Sequence, residues 1–262
     1  YEILGSDIAG RIEAVGSNIE QFQPGDDIFG DSFGCGMGAF AEYVCVPEKV
    51  LTLKPASMTF EDAATLPQAA IVALQGLRKK RQIQPGQKVL INGAGGGMGT
   101  FAVQIAKLFG AEVTGVDSAE KLDMLRSIGA DHVIDYTQED FSKSGQRYDL
   151  ILDVAGHHSI FDYKRALNPK GILAVVGGSK GTILQAVLLG PLISIFGSKK
   201  MGILAWKPNK KEDLAFLIEL LEADKIVPVI DRRYPLSEVA EAFRYLEEGH
   251  AQGKLVIIME QK

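Results

Sequence analysis

The sequence predicts an α/β protein in which a parallel, doubly wound sheet follows a small β-rich segment. Three observations carry this. The stretch INGAGGGMG, residues 91–99, places five glycines in seven positions straight after the apolar run Val89-Leu90-Ile91. Beyond it, short apolar runs alternate with helical patterns, the rhythm of a parallel sheet. Before it, residues 1–55 alternate short apolar runs with turns.

Taken in order, DIAGRIEAV, the turn QPGDD and AFAEYVCV read as strand, turn and strand. Residues 60–82 become helical. After Pro85-Gly86, strands are expected at 89–92, 112–116, 132–135, 149–154 and 172–177, with helices between them. The helix after the glycines, TFAVQIAKLFGA, carries Phe101, Val103, Ile105, Ala106, Leu108 and Phe109 and stops at Gly110. The tail holds two helices, KKEDLAFLIELLEADK and LSEVAEAFRYLEEG, and a last strand, GKLVIIME, which either extends the sheet or returns to the first segment. One apolar stretch, TILQAVLLGPLISIFG at 182–197, has 16 residues and a central Pro191, short of a membrane span. It reads as buried helix and loop, with a partner or a membrane surface as the alternative.

With 262 residues, 46% hydrophobic and 23% charged, the chain can bury a sizeable core. A net charge of -5 leaves no basic footprint, which argues against nucleic acid as a main partner. Cys35 and Cys45 are the only cysteines, too few for a disulfide framework, and a reducing cytoplasmic location is expected. The chain opens without Met on YEILGSDIAG and reads as starting inside a longer sequence.

The frame of the glycines points to chemistry. Only Ala94-Gly95-Gly96-Gly97-Met98-Gly99 closes correctly, as A-x-G-x-x-G. In that frame Gly96 lets a pyrophosphate approach the backbone, Gly99 lets the helix pack closely, and Ala94 stands for the first glycine of the turn. The helix N-terminal amides then face the phosphates. Asp117, 18 positions beyond Gly99, ends the strand EVTGVD where a dinucleotide fold keeps its ribose-reading residue. A tight turn without a ligand is the alternative. No metal site is expected: His157 and His158 are adjacent and diverge on an extended segment, and His132 and His250 are isolated.

The order GSDIAGRIEAVGSNIEQFQPGDDIFG, GAFAEYVCVPE, AATLP, INGAGGGMG and GKLVII resembles the medium-chain dehydrogenase/reductase superfamily over almost the whole chain, most closely its zinc-independent, quinone oxidoreductase-like branch. The resemblance implies a Rossmann domain inserted in a GroES-like, β-rich catalytic domain. Residues 1–60 would be the catalytic domain, truncated at its N-terminus, 61–205 the Rossmann NAD(P)-binding domain, and 206–262 the return to the catalytic domain. Zinc-dependent members carry G-H-E-x-x-G, whose His binds the metal. Here the stretch is Gly5-Ser6-Asp7-Ile8-Ala9-Gly10, and the Ser6 hydroxyl is a poor zinc donor. Two cysteines also fall short of the family's four-cysteine lobe.

Without a metal to act as Lewis acid, simple alcohol oxidation is disfavoured. Reduction of a quinone or an α,β-unsaturated carbonyl needs less help, because the resulting enolate charge is delocalised and hydrogen-bond donors can hold it. The resemblance therefore implies an NAD(P)H-dependent reductase. A nucleotide-binding module without turnover and the enoyl reductase portion of a larger synthase are the alternatives. No catalytic residue is assigned. Ser6, Asp7 and Tyr43 are candidates, but Tyr43 reads as a packed strand aromatic and Asp7 as a backbone acceptor, so the proton is expected from solvent or from the segment preceding Tyr1.

For the cofactor, the family pattern puts Gly95, Gly96, Gly97 and Met98 at the pyrophosphate, Val154 and Gly156 of DVAG near the ribose, and Gly177 and Gly178 of VGG near the nicotinamide. Val72 replaces a Thr common in relatives. Asp117 favours NAD(H), whereas Ser118, Lys121 and Tyr136 match relatives that surround the 2'-phosphate of NADP(H); together they favour NADP(H). A homodimer is expected from the resemblance and from the apolar stretch 182–197.

Overall fold

The computed structural model describes residues 3–78 and 83–259. In chain order the elements are β1 (Asp7–Arg11), β2 (Asp27–Asp31), β3 (Leu51–Leu53), α1 (Phe60–Thr65), α2 (Ile71–Leu77), β4 (Lys88–Asn92), α3 (Gly97–Leu108), β5 (Glu112–Asp117) and α4 (Leu122–Ser127). There follow β6 (His132–Asp135), β7 (Tyr148–Asp153), α5 (Ile160–Ala166), β8 (Leu167–Val175), α6 (Lys180–Phe196), β9 (Lys200–Ile203), α7 (Lys211–Glu222), β10 (Ile230–Pro235), α8 (Val239–Glu247) and β11 (Lys254–Ile258). The last residues of the helical pattern expected to 82, and Glu260 at the end of the last strand pattern, lie outside the described residues.

Two compact units form, residues 72–206 and residues 1–71 with 207–262. The first holds a six-stranded parallel sheet in the order β6-β5-β4-β7-β8-β9. The chain begins at β4, runs outward through β5 and β6, then reverses to β7, so β4 and β7 flank the switch point where ligands of such sheets bind. Its core comprises Leu90, Ile151, Leu173, Val175, Phe141 and Tyr163, among others. The strands are apolar runs because both faces of a parallel sheet are covered.

The second unit has an antiparallel sheet, β1-β2-β3, with Asp7 directly opposite Asp31, and a parallel pair, β10-β11. A small cluster of Ile8, Ile28, Val50 and Leu51 holds the antiparallel sheet together. The last strand returns to this unit, where Lys254 Nζ reaches Asp7 Oδ2 at 3.1 Å. That decides between the two readings of the tail.

Two local expectations are corrected. Among the described residues AFAEYVCV forms no strand, and Ala39 N–H to Gly5 O (3.1 Å) and Phe40 N–H to Leu4 O (3.0 Å) tie it to its neighbour. Gly36, Met37 and Gly38 all take positive φ just before it, which turns the chain away from extended pairing. Tyr43, read as packed, is 74% exposed. The apolar stretch at 182–197 is not buried helix and loop but part of one helix, α6, continuous through Pro191. Leu184, Val187, Leu188, Leu192, Ile195 and Phe196 are all exposed along it.

Candidate dinucleotide site

Strand β4 ends at Asn92, and the chain must reverse at once to enter α3. Gly93 makes the turn at φ +83°, a region that glycine enters without steric cost. The N–H groups of Gly93 and Ala94 both bond the carbonyl of Val116, at 3.0 and 3.1 Å. The left-handed residue is therefore Gly93, and the reading of Ala94 as the first glycine of the turn is one residue late. Gly99 is held by sterics. A Cβ there would lie 2.3 Å from the Gly93 carbonyl oxygen, so the helix sits against the loop only because position 99 has no side chain.

At Gly96, the N-cap of α3, an added Cβ would meet only the Gly93 carbonyl oxygen, at 3.7 Å. No side chain caps the helix. Its first amides, from Gly97, Met98 and Gly99, lack helical partners and carry the positive end of the helix dipole. Open space above an uncapped helix N-terminus of this kind fits a pyrophosphate.

Asp117 is turned toward the glycine loop. Its Oδ2 accepts from Gly95 N–H at 2.7 Å, and its Oδ1 accepts from Ser118 N–H at 2.9 Å and lies 3.3 Å from Lys121 Nζ. Both side chains of the pair are buried, and the Lys121 stem runs where a Cβ on Gly95 would be, its Cδ 2.6 Å from that point. Asp117 therefore faces the loop and does not point away from it. It is the counter-ion that holds Lys121 at the loop. Tyr136 N–H bonds the Asp117 carbonyl at 3.2 Å, and the Tyr136 side chain is 62% exposed. Ser118, Lys121 and Tyr136 are accordingly gathered at the end of β5.

The ends of β7 and β8 meet the same region. Val154 N–H bonds Asn92 O at 2.9 Å, and Val176 N–H bonds Asp153 O at 2.7 Å. Gly156 and Gly178 form a parallel bridge, extended by Ser179 N–H to Gly156 O at 2.7 Å. Val154, Gly156, Gly177 and Gly178 therefore share the carboxyl edge of the sheet with the glycine loop. Val72 is buried.

In the other unit the Ser6 carbonyl accepts from Ser32, through N–H at 2.9 Å and Oγ at 3.1 Å. Asp7 Oδ1 accepts from Gln68 N–H at 3.1 Å, and its carboxyl is pushed up by burial, against the pull of Lys254. Among the described residues no group of three or more His, Cys, Asp or Glu side chains could hold a metal ion, and Cys35 and Cys45 are free thiols. The Ser6 hydroxyl is a poor zinc donor beside an imidazole or a thiolate.

Sequence reasoning missed Asn92, the Asp153 side chain and Tyr163, a buried polar group at the end of β7. The signal was present: YDLILD ends an apolar run on a carboxylate.

A doubly wound sheet with an uncapped glycine loop at its switch point defines a protein of the dinucleotide-fold class. Residues 2–56 match the alcohol dehydrogenase GroES-like domain, and residues 128–257 match the zinc-binding dehydrogenase family. The chain is 35% identical to a 2-methylene-furan-3-one reductase of Solanum lycopersicum, over 97% of this chain and 63% of that protein. It is 32% identical to the chloroplast envelope quinone oxidoreductase homolog of Arabidopsis thaliana, covering 97% of this chain and 79% of the relative. The quinone oxidoreductase of Escherichia coli, solved with NADPH, superposes with a TM-score of 0.86 at 25% identity, over 97% of this chain and 82% of that one. The chain belongs to the medium-chain dehydrogenase/reductase superfamily, in its quinone oxidoreductase-like branch. It spans less than two thirds of the tomato reductase.

Proposed function

We propose that the protein is an NADPH-dependent oxidoreductase that delivers hydride to a quinone or an α,β-unsaturated carbonyl without zinc. The observation that carries the cofactor choice is the internal commitment of Asp117. Three of its acceptor positions are taken by Gly95 N–H, Ser118 N–H and Lys121, so it cannot also accept from both ribose hydroxyls, as an NAD-selective carboxylate must. The same pair keeps the Lys121 ammonium beside Ser118 and Tyr136, the group that reads the 2'-phosphate. A charged hydrogen bond to phosphate contributes about 1.5 to 3 kcal/mol.

The reduced nicotinamide supplies the hydride. The chain's own residues bind and orient. Gly95, Gly96, Gly97 and Met98 hold the pyrophosphate with backbone amides, Val154 and Gly156 border the ribose, and Gly177 and Gly178 border the nicotinamide. The substrate class is supported by the named activities of the tomato and Arabidopsis relatives. Zinc is left out because its ligand position is Ser6, and the free thiols of Cys35 and Cys45 suit a reducing cytoplasm. The exposed apolar face of α6 supports a homodimer.

Fluorescence titration with NADPH and NADH, on wild type and Lys121→Ala, tests the cofactor. The variant should lose NADPH affinity by about ten- to a hundredfold, at about 1.4 kcal/mol per decade, and bind NADH nearly as before. Equal losses for both cofactors, or wild-type preference for NADH, would overturn the assignment. NADPH consumption with a panel of quinones and enones tests the reaction, and no turnover with any of them would sink it.

A further inference from the structure

Asp153 closes a strand whose preceding residues, Leu150, Ile151 and Leu152, are buried and apolar, and its own side chain is fully buried. Its Oδ1 accepts from Asn92 Nδ2 at 2.8 Å. Its Oδ2 has no hydrogen-bond partner, and neither has the hydroxyl of Tyr163, a side chain from α5 that is equally buried. The two oxygens face each other closely enough for each to bear on the other's ionisation, and the His158 ring packs edge-on against Tyr163 at 5.7 Å. No ion pair reaches the carboxyl among the described residues. The titratable groups that bear on it are His157 and His158, in the loop after β7.

An unpaired carboxylate here would be very costly, because an isolated buried charge takes up a proton instead. One hydrogen bond between Oδ2 and Tyr163 Oη satisfies both bare oxygens at once, and a proton on the carboxyl removes the buried charge. Burial pushes the carboxyl above its usual range, with the contacts from Tyr163 and Asn92 pulling the other way.

The carboxyl also lies directly beneath the ligand loops. A Cβ on Gly156 would sit 2.3 Å from Asp153 Oδ2, so the 154–156 turn rests on the carboxyl. Asn92 immediately precedes Gly93, and a Cβ on Gly93 would sit 2.9 Å from Ala155 Cβ, so the two turns touch.

We propose that Asp153 is a positioning residue of the dinucleotide site: as a neutral acid it locks the end of β4 to the 154–156 turn, and it places no negative charge beneath an anionic ligand. This rests on reading the glycine loop as a dinucleotide site. Asparagine reproduces the neutral acid, since its amide oxygen accepts from Asn92 and its N–H donates to Tyr163. Alanine orphans both partners.

The test measures NADPH affinity by fluorescence titration for wild type, Asp153→Asn, Asp153→Ala and Tyr163→Phe, with circular dichroism as the folding control. Infrared difference spectra of wild type minus Asp153→Asn at neutral pH accompany it. Asp153→Asn should bind within about twofold of wild type, and Asp153→Ala about tenfold or more weakly. The infrared difference should contain the C=O stretch of a protonated carboxylic acid. Asparagine binding as weakly as alanine, alanine binding as tightly as wild type, or carboxylate bands alone would overturn the proposal. Where alanine does not fold, Tyr163→Phe decides: it removes the hydroxyl that pairs with Oδ2 and should weaken NADPH binding, and unchanged affinity counts against the proposal. Wild type that binds neither NADPH nor NADH would sink the dinucleotide reading instead, while the infrared band would still judge the state of Asp153.

Discussion

Asp117 stands where a ribose acceptor is expected, yet its oxygens are used within its own chain, and that difference was not legible in the sequence. Its place at the end of β5 was legible, but the direction of a side chain depends on neighbours distant in sequence, here Gly95 at 22 positions. The same limit applies at the glycine turn. The A-x-G-x-x-G frame located the loop, whereas the left-handed position at Gly93 follows from the hydrogen bonds to Val116. Gly99→Ala should lower stability by about 1–3 kcal/mol in urea unfolding, because its Cβ would overlap the Gly93 carbonyl and backbone must shift. An unchanged midpoint would mean that loop and helix are not in contact. Ser6 gives a second expectation at this scale: extensive chelation should leave turnover of an intact protein unchanged, since a hydroxyl replaces the imidazole ligand. Activity lost with chelator and restored by zinc would contradict it.

The strands around the glycine loop were legible because apolar runs between turn signals leave little choice once a parallel sheet forms. The stretch at 39–46 shows the opposite case. Its alternation of apolar and polar residues satisfied a strand pattern, but three consecutive positive φ values upstream are a property of the backbone that composition does not reveal. For α6 the sequence showed the apolar content and Pro191 but not which side chains would face the sheet. The helix approaches β9 at Gly190, where a Cβ would lie 2.8 Å from the Met201 carbonyl oxygen, and Ser194 Oγ bonds both Gly190 O (2.8 Å) and Met201 O (3.1 Å). Gly190→Val should push the helix off the strand and cost about 1–3 kcal/mol by thermal or urea unfolding. Wild-type stability in that variant would show that the helix is not seated on β9 through this residue.

At the scale of the whole molecule, the exposed leucines, Val187, Ile195 and Phe196 form an apolar stripe along α6 that the proposed homodimer would cover. Light scattering should give a dimer mass at micromolar concentration, and Leu188→Glu should shift it to the monomer; a monomeric wild type would refute the homodimer. The tail could be traced in the sequence as two helices and a strand, but not where that strand would go, since its pairing depends on β10 and on a lysine that finds Asp7 at 247 positions' distance. That same long-range closure has a consequence for synthesis. The unit spanning residues 72–206 is one continuous stretch and can fold as soon as it has left the ribosome. The strands β1, β2 and β3 pair with one another, but Asp7 on β1 must wait for Lys254. At about 5–20 residues per second, the 247 positions from Asp7 to Lys254 take on the order of ten seconds or more, during which the Asp7 carboxyl is without its counter-ion.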